Sequence, residues 1–169
     1  KIPATWKKIK LKYTIKNIIS GIWGDEPSGD DNDIDCIRVN DFDYESLGIK
    51  NNEFTKRNIV FNGNNKNILL NKDLLIEKSG GGEKSPVGRV VIYNNDLKGK
   101  NVCSNFIAIL RSDLDNYDPK FLVYLHSKIY AEKINIRSIK QTTGIQNIDI
   151  PSYLNESVAI PEKIEQKQI

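Results

Sequence analysis

The hydrophobic positions change their spacing about two thirds of the way along the chain. Before this point they form short runs rich in β-branched residues, at 34–39, 59–61, 68–76, 87–93 and 102–110. Runs of this length, separated by Gly, Asn and Asp, are typical of β-strands. After it, Phe121, Leu122, Leu125 and Ile129 fall on one face of a helix. The pattern predicts about four to six short strands followed by a helix.

The start of that helix is marked by Asp118-Pro119. An aspartate can cap the first turn, and proline is favoured at the first helical position. We therefore predict a helix over 119–133, with the single histidine, His126, packed or solvated rather than catalytic. An extended stretch follows at 158–160, and 162–169 is predicted to begin another helix.

Two polar segments stand out between the predicted elements. Residues 78–89 contain three consecutive glycines flanked by lysine, serine and arginine, which predicts a loop whose backbone N–H groups could approach a phosphate. A mobile loop tip without a ligand is an equally good interpretation. Residues 138–147 are rich in amide and hydroxyl side chains, which suit hydrogen bonds to bases but also an ordinary polar turn.

Composition narrows the class of protein. The 169 residues suit one domain, and the sequence contains no apolar run long enough to span a membrane. Two cysteines argue against a disulfide scaffold and favour the reducing cytoplasm. One histidine argues against a zinc site, and the acidic run at 30–35 lacks the glycine and glutamate of a calcium loop, so no metal or cofactor is predicted.

Charge is distributed more unevenly than the net value of +3 suggests. Residues 1–24 carry six lysines and no acid, whereas residues 25–45 carry nine acids and a single base, Arg38. Residues 50–100 carry ten bases and five acids. This distribution predicts either a basic face opposite an acidic loop, or simply solvated loops.

Several segments occur in an order that resembles a known family. They are Ile37-Arg38-Val39-Asn40-Asp41, Asp73 to Gly80, Val87-Gly88-Arg89, Asp118 to Leu122, Thr142 to Ile148, and Ile160 to Ile169. In this order and spacing the chain resembles a target recognition domain of a type I restriction-modification specificity (S) subunit. It departs from the family at Pro161-Glu162, where two prolines are frequent.

The resemblance implies a fold, a function and partners. The fold would be α/β of the α+β type, with a twisted, partly closed, mostly antiparallel sheet, one packed helix and the start of a long spacer helix. Residues 1–161 would form the recognition domain and 162–169 the first turns of that helix. Such a domain reads one half of a bipartite site in double-stranded DNA, pairs with a second recognition domain through the spacer helix, and assembles with methylation (M) and restriction (R) subunits.

Candidate DNA contacts follow from side-chain chemistry. Lysine suits phosphates, whereas Arg, Asn and Gln can donate and accept at base edges. The predicted contacts are Lys78, Ser79, Lys84, Arg89, Lys140, Gln141, Thr142, Thr143, Gln146, Arg38, Arg57 and Trp23. For Arg38 a local salt bridge is the favoured alternative, and for Trp23 a half-buried anchor of its loop.

Catalysis is not predicted for this chain. The sequence lacks the Asn/Asp-Pro-Pro-aromatic motif and glycine-rich cofactor loop of DNA amino-methyltransferases, and Glu165-Gln166-Lys167 lacks the partner acids of a nuclease. Catalysis would come from partner subunits. Two alternatives stay open: the recognition region of a fused restriction-methylation enzyme, and a protein-interaction domain acting through the acidic segment 25–45.

Overall fold

The computed structural model describes residues 3–50, 53–61, 63, 65–94, 99–141 and 144–169. The strands within these ranges are β1 (Lys7–Lys10), β2 (Ile15–Ser20), β3 (Asp33–Ile37), β4 (Phe42–Asp43), β5 (Gly48–Ile49), β6 (Thr55–Asn58), β7 (Leu74–Glu77), β8 (Ser79–Gly80), β9 (Val90–Ile92), β10 (Asn101–Cys103), β11 (Ile107–Ser112), β12 (Ile139–Gln141), β13 (Gln146–Ile148) and β14 (Ser157–Ile160). The α-helices are α1 (Pro119–Ala131), α2 (Ile150–Leu154) and α3 (Lys163–Gln166), and short 3-10 helices occur at Leu11–Thr14, Val39–Asp41 and Ile134–Ser138.

A four-stranded antiparallel sheet, in the order β2-β11-β7-β9, forms the centre of the molecule. Its two faces contribute to different cores. Leu74, Ile76 and Leu110 pack with residues of α1, while Leu75 and Ile109 pack on the other side. Because side chains alternate between the faces of a strand, burial on both faces requires continuous apolar runs. This explains why these strands show no polar alternation in the sequence.

The second core joins the central sheet to the first part of the chain. Leu75, Val91 and Ile109 from the sheet contact Ile37 and Phe42, which end β3 and begin β4. In the sheet β10-β3-β6, β3 runs parallel to β10 and antiparallel to β6. The parallel pairing joins strands far apart in the sequence, and it holds the acidic segment 25–45 against the domain body.

Helix α1 covers the other face of the central sheet. The Asp118 carboxylate accepts the N–H groups of Lys120 and Phe121, as expected for an N-cap. Phe121, Leu122 and Ile129 are buried against the sheet. The helix ends at Ala131, close to the predicted bound of 133.

Helix α3 is anchored to the domain through a buried side chain. Gln166 accepts the N–H of Asp118 at 2.8 Å and donates to the Pro161 carbonyl at 2.9 Å. Trp6 Nε1 also donates to Glu165 at 2.9 Å. Residues 163–166 are thus helical, in line with the expectation for 162–169. Whether they begin a spacer helix, and whether 1–161 is a separate domain, stay predictions.

The predicted fold class is confirmed: the chain combines mostly antiparallel strands with one main packed helix. Within the described ranges, however, the strands are distributed over several sheets rather than one. Four local predictions were wrong. Eleven strands, rather than four to six, precede α1 within the described ranges. The strand near 59–61 lies at Thr55–Asn58, the run 102–110 is two strands with a turn at 104–106, and the polar segment 138–147 contributes a hairpin rather than a loop.

Candidate nucleic-acid interface

The two polar segments predicted to contact DNA are neighbours in the structure. Strand β8 from the glycine-rich segment pairs with β13, which in turn pairs with β12. In this register Gln146 lies opposite Gly80 and Gln141, and Asn147 lies opposite Ser79. The Ser79 hydroxyl hydrogen-bonds to the Asn147 side chain. Candidate residues separated by more than 60 positions therefore form one small antiparallel sheet.

The glycine-rich segment folds into a tight hairpin beyond β8. Gly82 and Ser85 exchange backbone hydrogen bonds of 3.0 and 3.2 Å. Gly81 has φ +61°, and a Cβ there would lie 2.9 Å from Ser85 O and Val87 N. Glycine is therefore required at this position. The Gly82 and Ser85 N–H groups bond within the hairpin, so the backbone cradle expected for a phosphate is partly occupied. Lys84 is exposed at the tip, and its predicted phosphate contact stays a prediction.

Arg89 is held in place by a buried carboxylate. Its Nε and Nη2 lie 2.8 and 3.0 Å from the two oxygens of Glu77, whose side chain is 2% exposed. The guanidinium also stacks on the Tyr44 ring at 4.2 Å, and burial raises the pKa of Tyr44. The pair with Glu77 uses two of the five guanidinium N–H donors, and the ring contact fixes the plane of the group. Arg89 therefore orients the hairpin base, and its predicted DNA contact stays a prediction.

Arg38 has a looser environment than Arg89. The Asp41 carboxylate accepts the Arg38 backbone N–H at 2.7 Å, but its distance to the side-chain Nε is 3.9 Å. The Arg38 side chain is 45% exposed. The salt bridge expected for Arg38 exists in a weak form, and its guanidinium can still turn towards a ligand.

Arg57 supports the loop that carries Trp23. Its guanidinium stacks on the Trp23 ring at 4.5 Å, donates to the Trp23 and Gly24 carbonyls at 3.2 Å, and pairs with Glu26. The side chain of Arg57 is 7% exposed. Trp23 is half-buried, which agrees with the anchor interpretation, although part of it still faces the cleft described below.

The segment 138–147 presents a mixed surface. Gln146 is buried, and its side chain accepts the N–H of Val87 at 3.3 Å. Gln141 and Lys140 are exposed, with Lys140 paired to Asp149. Lys78 is half-buried behind β8. Thr142 and Thr143 lie outside the described residues.

A cavity of about 670 Å³ collects four of the predicted residues, Trp23, Arg38, Ser79 and Arg89. We call this cavity the cleft. Its lining also includes Asn40, Asn105 and Phe106, which were not among the predicted contacts. Phe106 lies within the apolar run 102–110, which predicted a single strand. The polar pair Ser104-Asn105 inside that apolar run was the signal for a turn.

The acidic segment uses many of its carboxylates internally. Asp33 accepts the N–H groups of Ser28 and Gly29 at 3.1 and 2.6 Å, and also the Asn58 amide. The Asn58 bond, followed by those backbone bonds, keeps the pKa of Asp33 below its usual value despite some desolvation. Asp35 pairs with Lys56 at 2.9 Å. These carboxylates shape the loop, and its predicted role in protein binding stays an open alternative.

Sites for other chemistry are sparse within the described part of the chain. No group of three or more His, Cys, Asp or Glu residues there could hold a metal ion. Cys36 and Cys103 are both buried and unpaired by a disulfide, and burial raises the pKa of the Cys36 thiol to about 12. Helices long and apolar enough to cross a membrane are also absent from the described ranges.

Comparison with solved structures identifies chains of the same architecture. The chain is similar to the HsdS subunit from Thermoanaerobacter tengcongensis, with a TM-score of 0.56 at 17% identity over 99% of this chain and 36% of that one. It resembles the S subunit of a type I restriction-modification system from M. genitalium, with a TM-score of 0.58 at 16% identity over 99% and 37% of the two chains.

A third similar chain comes from a structure that concerns complex assembly and conformational transition of the type I R-M system. It gives a TM-score of 0.64 at 19% identity over 99% and 37% of the two chains. Family models and curated proteins give no match to this sequence. The chain spans little more than a third of each solved chain. At this level of identity the likeness establishes architecture: the chain has the fold of a segment of type I restriction-modification S subunits.

Proposed function

We propose that this chain is a sequence-specific DNA-binding domain that reads one half of a bipartite target for a type I restriction-modification complex. The observation that carries the proposal is the likeness to S subunits over 99% of the chain. A specificity role also accounts for the polar, amide-rich surface around the cleft. In this role the chain is non-catalytic, and partner subunits supply catalysis.

The chemistry of the interface supports DNA as the ligand. Lys84 is exposed on the hairpin beyond β8 and Lys140 is exposed on β12, and both suit phosphate contacts. Arg38 and Ser79 line the cleft, and Gln141 lies on the adjacent hairpin. Arginine and amide side chains match the donor and acceptor patterns of the major groove. Phosphate contacts would thus surround a smaller set of base contacts.

The proposed partners are based on how much of each solved chain this chain matches. About 36–37% of each is covered, so a second recognition unit of similar size and connecting helices can occupy the rest. Helix α3, anchored through Gln166, would lead into the connection with the second recognition domain. Methylation and restriction subunits would assemble on the complete S subunit.

The function is tested by mapping methylated DNA motifs in the source genome with and without this gene. We expect one bipartite motif to lose methylation when the gene is deleted and to regain it on complementation. Loss of no motif would contradict the proposal. A catalytic motif elsewhere in the gene product would instead favour the recognition region of a fused restriction-methylation enzyme.

A further inference from the structure

The turn between β10 and β11 leaves an aromatic side chain exposed in the cleft. Phe106 is 51% exposed, whereas Cys103 before the turn and Ile107 after it are fully buried. Asn105, its neighbour in the turn, is also exposed. Both residues line the cleft together with Arg38 and Ser79. A phenylalanine and an amide thus lie side by side among the candidate DNA contacts.

The turn is held rigidly from two directions. Ser104 donates its N–H to the Ile37 carbonyl at 2.9 Å, and the Phe106 carbonyl accepts the N–H groups of Lys78 and Ser79 at 2.7 and 3.1 Å. Gly21 passes so close that a Cβ there would lie 2.0 Å from the Ser104 carbonyl oxygen. These contacts fix the backbone under Asn105 and Phe106. Because this backbone is already ordered, less conformational entropy is lost when the turn binds a ligand.

Charge in the cleft is compatible with DNA. Among the described residues that line the cleft, Glu77 is the one carboxylate. Its negative charge is neutralised by the bidentate ion pair with Arg89. Arg38 adds a half-exposed positive charge. In the described part of the cleft, no carboxylate of the lining is left without a cationic partner. A DNA backbone that approaches the turn would therefore meet no uncompensated negative charge there.

We infer that Asn105 and Phe106 read one A·T base pair from the major groove, an inference that rests on the proposed function. The 5-methyl group of thymine is the apolar feature of the groove, and asparagine can bond to N6 and N7 of the paired adenine. Half of the Phe106 surface is covered by the protein. Such a ring can contact a methyl group with its exposed part but is poorly placed to insert between base pairs as a wedge.

The test uses the full-length gene product with its methylation subunits and a duplex carrying the mapped motif. Each thymine of the half-site is replaced in turn by deoxyuridine, which removes only the methyl group. We expect one replacement to weaken binding by about fourfold, the loss for one buried methylene-sized group. The Phe106→Ala protein should bind the parent duplex more weakly and be indifferent to that replacement.

Companion variants separate a base contact from a structural effect. Phe106→Leu keeps an apolar side chain and should retain a reduced response to deoxyuridine. Asn105→Ala should relax the preference for A·T at the same base pair. Leu70→Ala removes an equally exposed side chain, also 51% exposed, from the turn before β7 and should behave as wild type.

Two results would overturn the inference. One is a wild-type protein that responds to no deoxyuridine replacement, and the other is a Phe106→Ala protein that keeps the wild-type response. In both cases selective binding of wild type to the mapped motif would still support the proposed function. If the wild-type complex discriminates between no duplexes, the proposed function and this inference fail together.

Discussion

At the residue scale, His126 is an uncharged packing residue. It is fully buried on α1, its Nδ1 lies 2.6 Å from the Tyr153 hydroxyl, and the two rings stack with centroids 5.6 Å apart. Burial lowers the pKa of His126 to about 4. Protonation in the folded state would place an unpaired charge in the core, so the fold holds the neutral form.

This environment predicts a pH dependence of stability. In the unfolded chain the pKa of His126 has its ordinary value of 6.5, whereas burial in the folded chain lowers this pKa to about 4. The free energy of unfolding should therefore decline as pH falls from about 6.5 towards 4, by up to about 3 kcal/mol. Urea denaturation between pH 7.5 and 4.5 measures this decline. His126→Gln should flatten the curve, and an unchanged slope would contradict the assignment.

Glu77 is a buried carboxylate that holds an arginine at the candidate interface. It is buried, bonds twice to Arg89, and fixes the arginine over Tyr44. Removing one partner of a buried ion pair leaves the other charge without compensation, which is more costly than removing both.

We therefore expect Glu77→Gln to destabilise the chain by about 3 kcal/mol, with partial recovery in Glu77→Gln combined with Arg89→Met. Chemical denaturation of the single and double variants measures both effects. Glu162→Gln is the matched control, because the Lys7–Glu162 pair is largely exposed, with side chains 74% and 70% accessible. Equal losses at Glu77 and Glu162 would show that burial does not determine the effect.

At the scale of elements, the hairpin at 81–87 depends on one glycine more than on its neighbour. Gly81 combines a positive φ with close backbone contacts, while Gly82 has open space where a Cβ would lie. The two positions thus provide a paired test of hairpin geometry.

Gly81→Ala should cost roughly 1–2 kcal/mol of stability and weaken DNA binding, because a left-handed conformation and a 2.9 Å contact both oppose the added methyl group. Gly82→Ala should leave both quantities nearly unchanged. Thermal unfolding and equilibrium binding measure the two effects. Similar behaviour of the two variants would mean that hairpin geometry does not position Lys84.

At the scale of the whole molecule, internal pairing of the acidic segment shapes the electrostatics. Asp33 and Asp35 are engaged by backbone N–H groups, Asn58 and Lys56, whereas Lys84 projects from a hairpin tip. Lys140 is also accessible, although it pairs with Asp149. A net charge of only +3 is therefore compatible with local attraction for a polyanion.

DNA binding should weaken with salt, with a log–log slope of about −0.9 for each phosphate neutralised. Lys84→Gln should reduce the magnitude of this slope by about 0.9 and leave sequence preference unchanged. Titrations between low and moderate salt measure both quantities. Lys128→Gln, on the exposed side of α1 where Lys128 pairs with Glu132, is the control. An altered sequence preference in Lys84→Gln would instead indicate a base contact.

Local sequence features determined much of the secondary structure. The Asp118-Pro119 start and the spacing of Phe121, Leu122 and Ile129 predicted α1 within two residues of its end. The apolar runs at 68–76, 87–93 and 102–110 predicted β7, β9 and β11, because burial on both faces demands such runs. Strand β2, whose residues are mostly exposed, was not predicted. Predictions were wrong where a strand is polar, as at Thr55–Asn58, since that strand depends on pairing with β3 rather than on its own hydrophobicity.

Tertiary structure decided how the candidate site is assembled. The sequence alone indicated the residue types for DNA contacts at 78–89 and 138–147, because lysine, amide and hydroxyl groups have that chemistry wherever they lie. Only the folded chain shows that the two segments pair, that Glu77 and the Trp23 loop restrain Arg89 and Arg57, and that Phe106 is exposed. Partners distant in sequence set these outcomes, and local composition carries no information about such contacts.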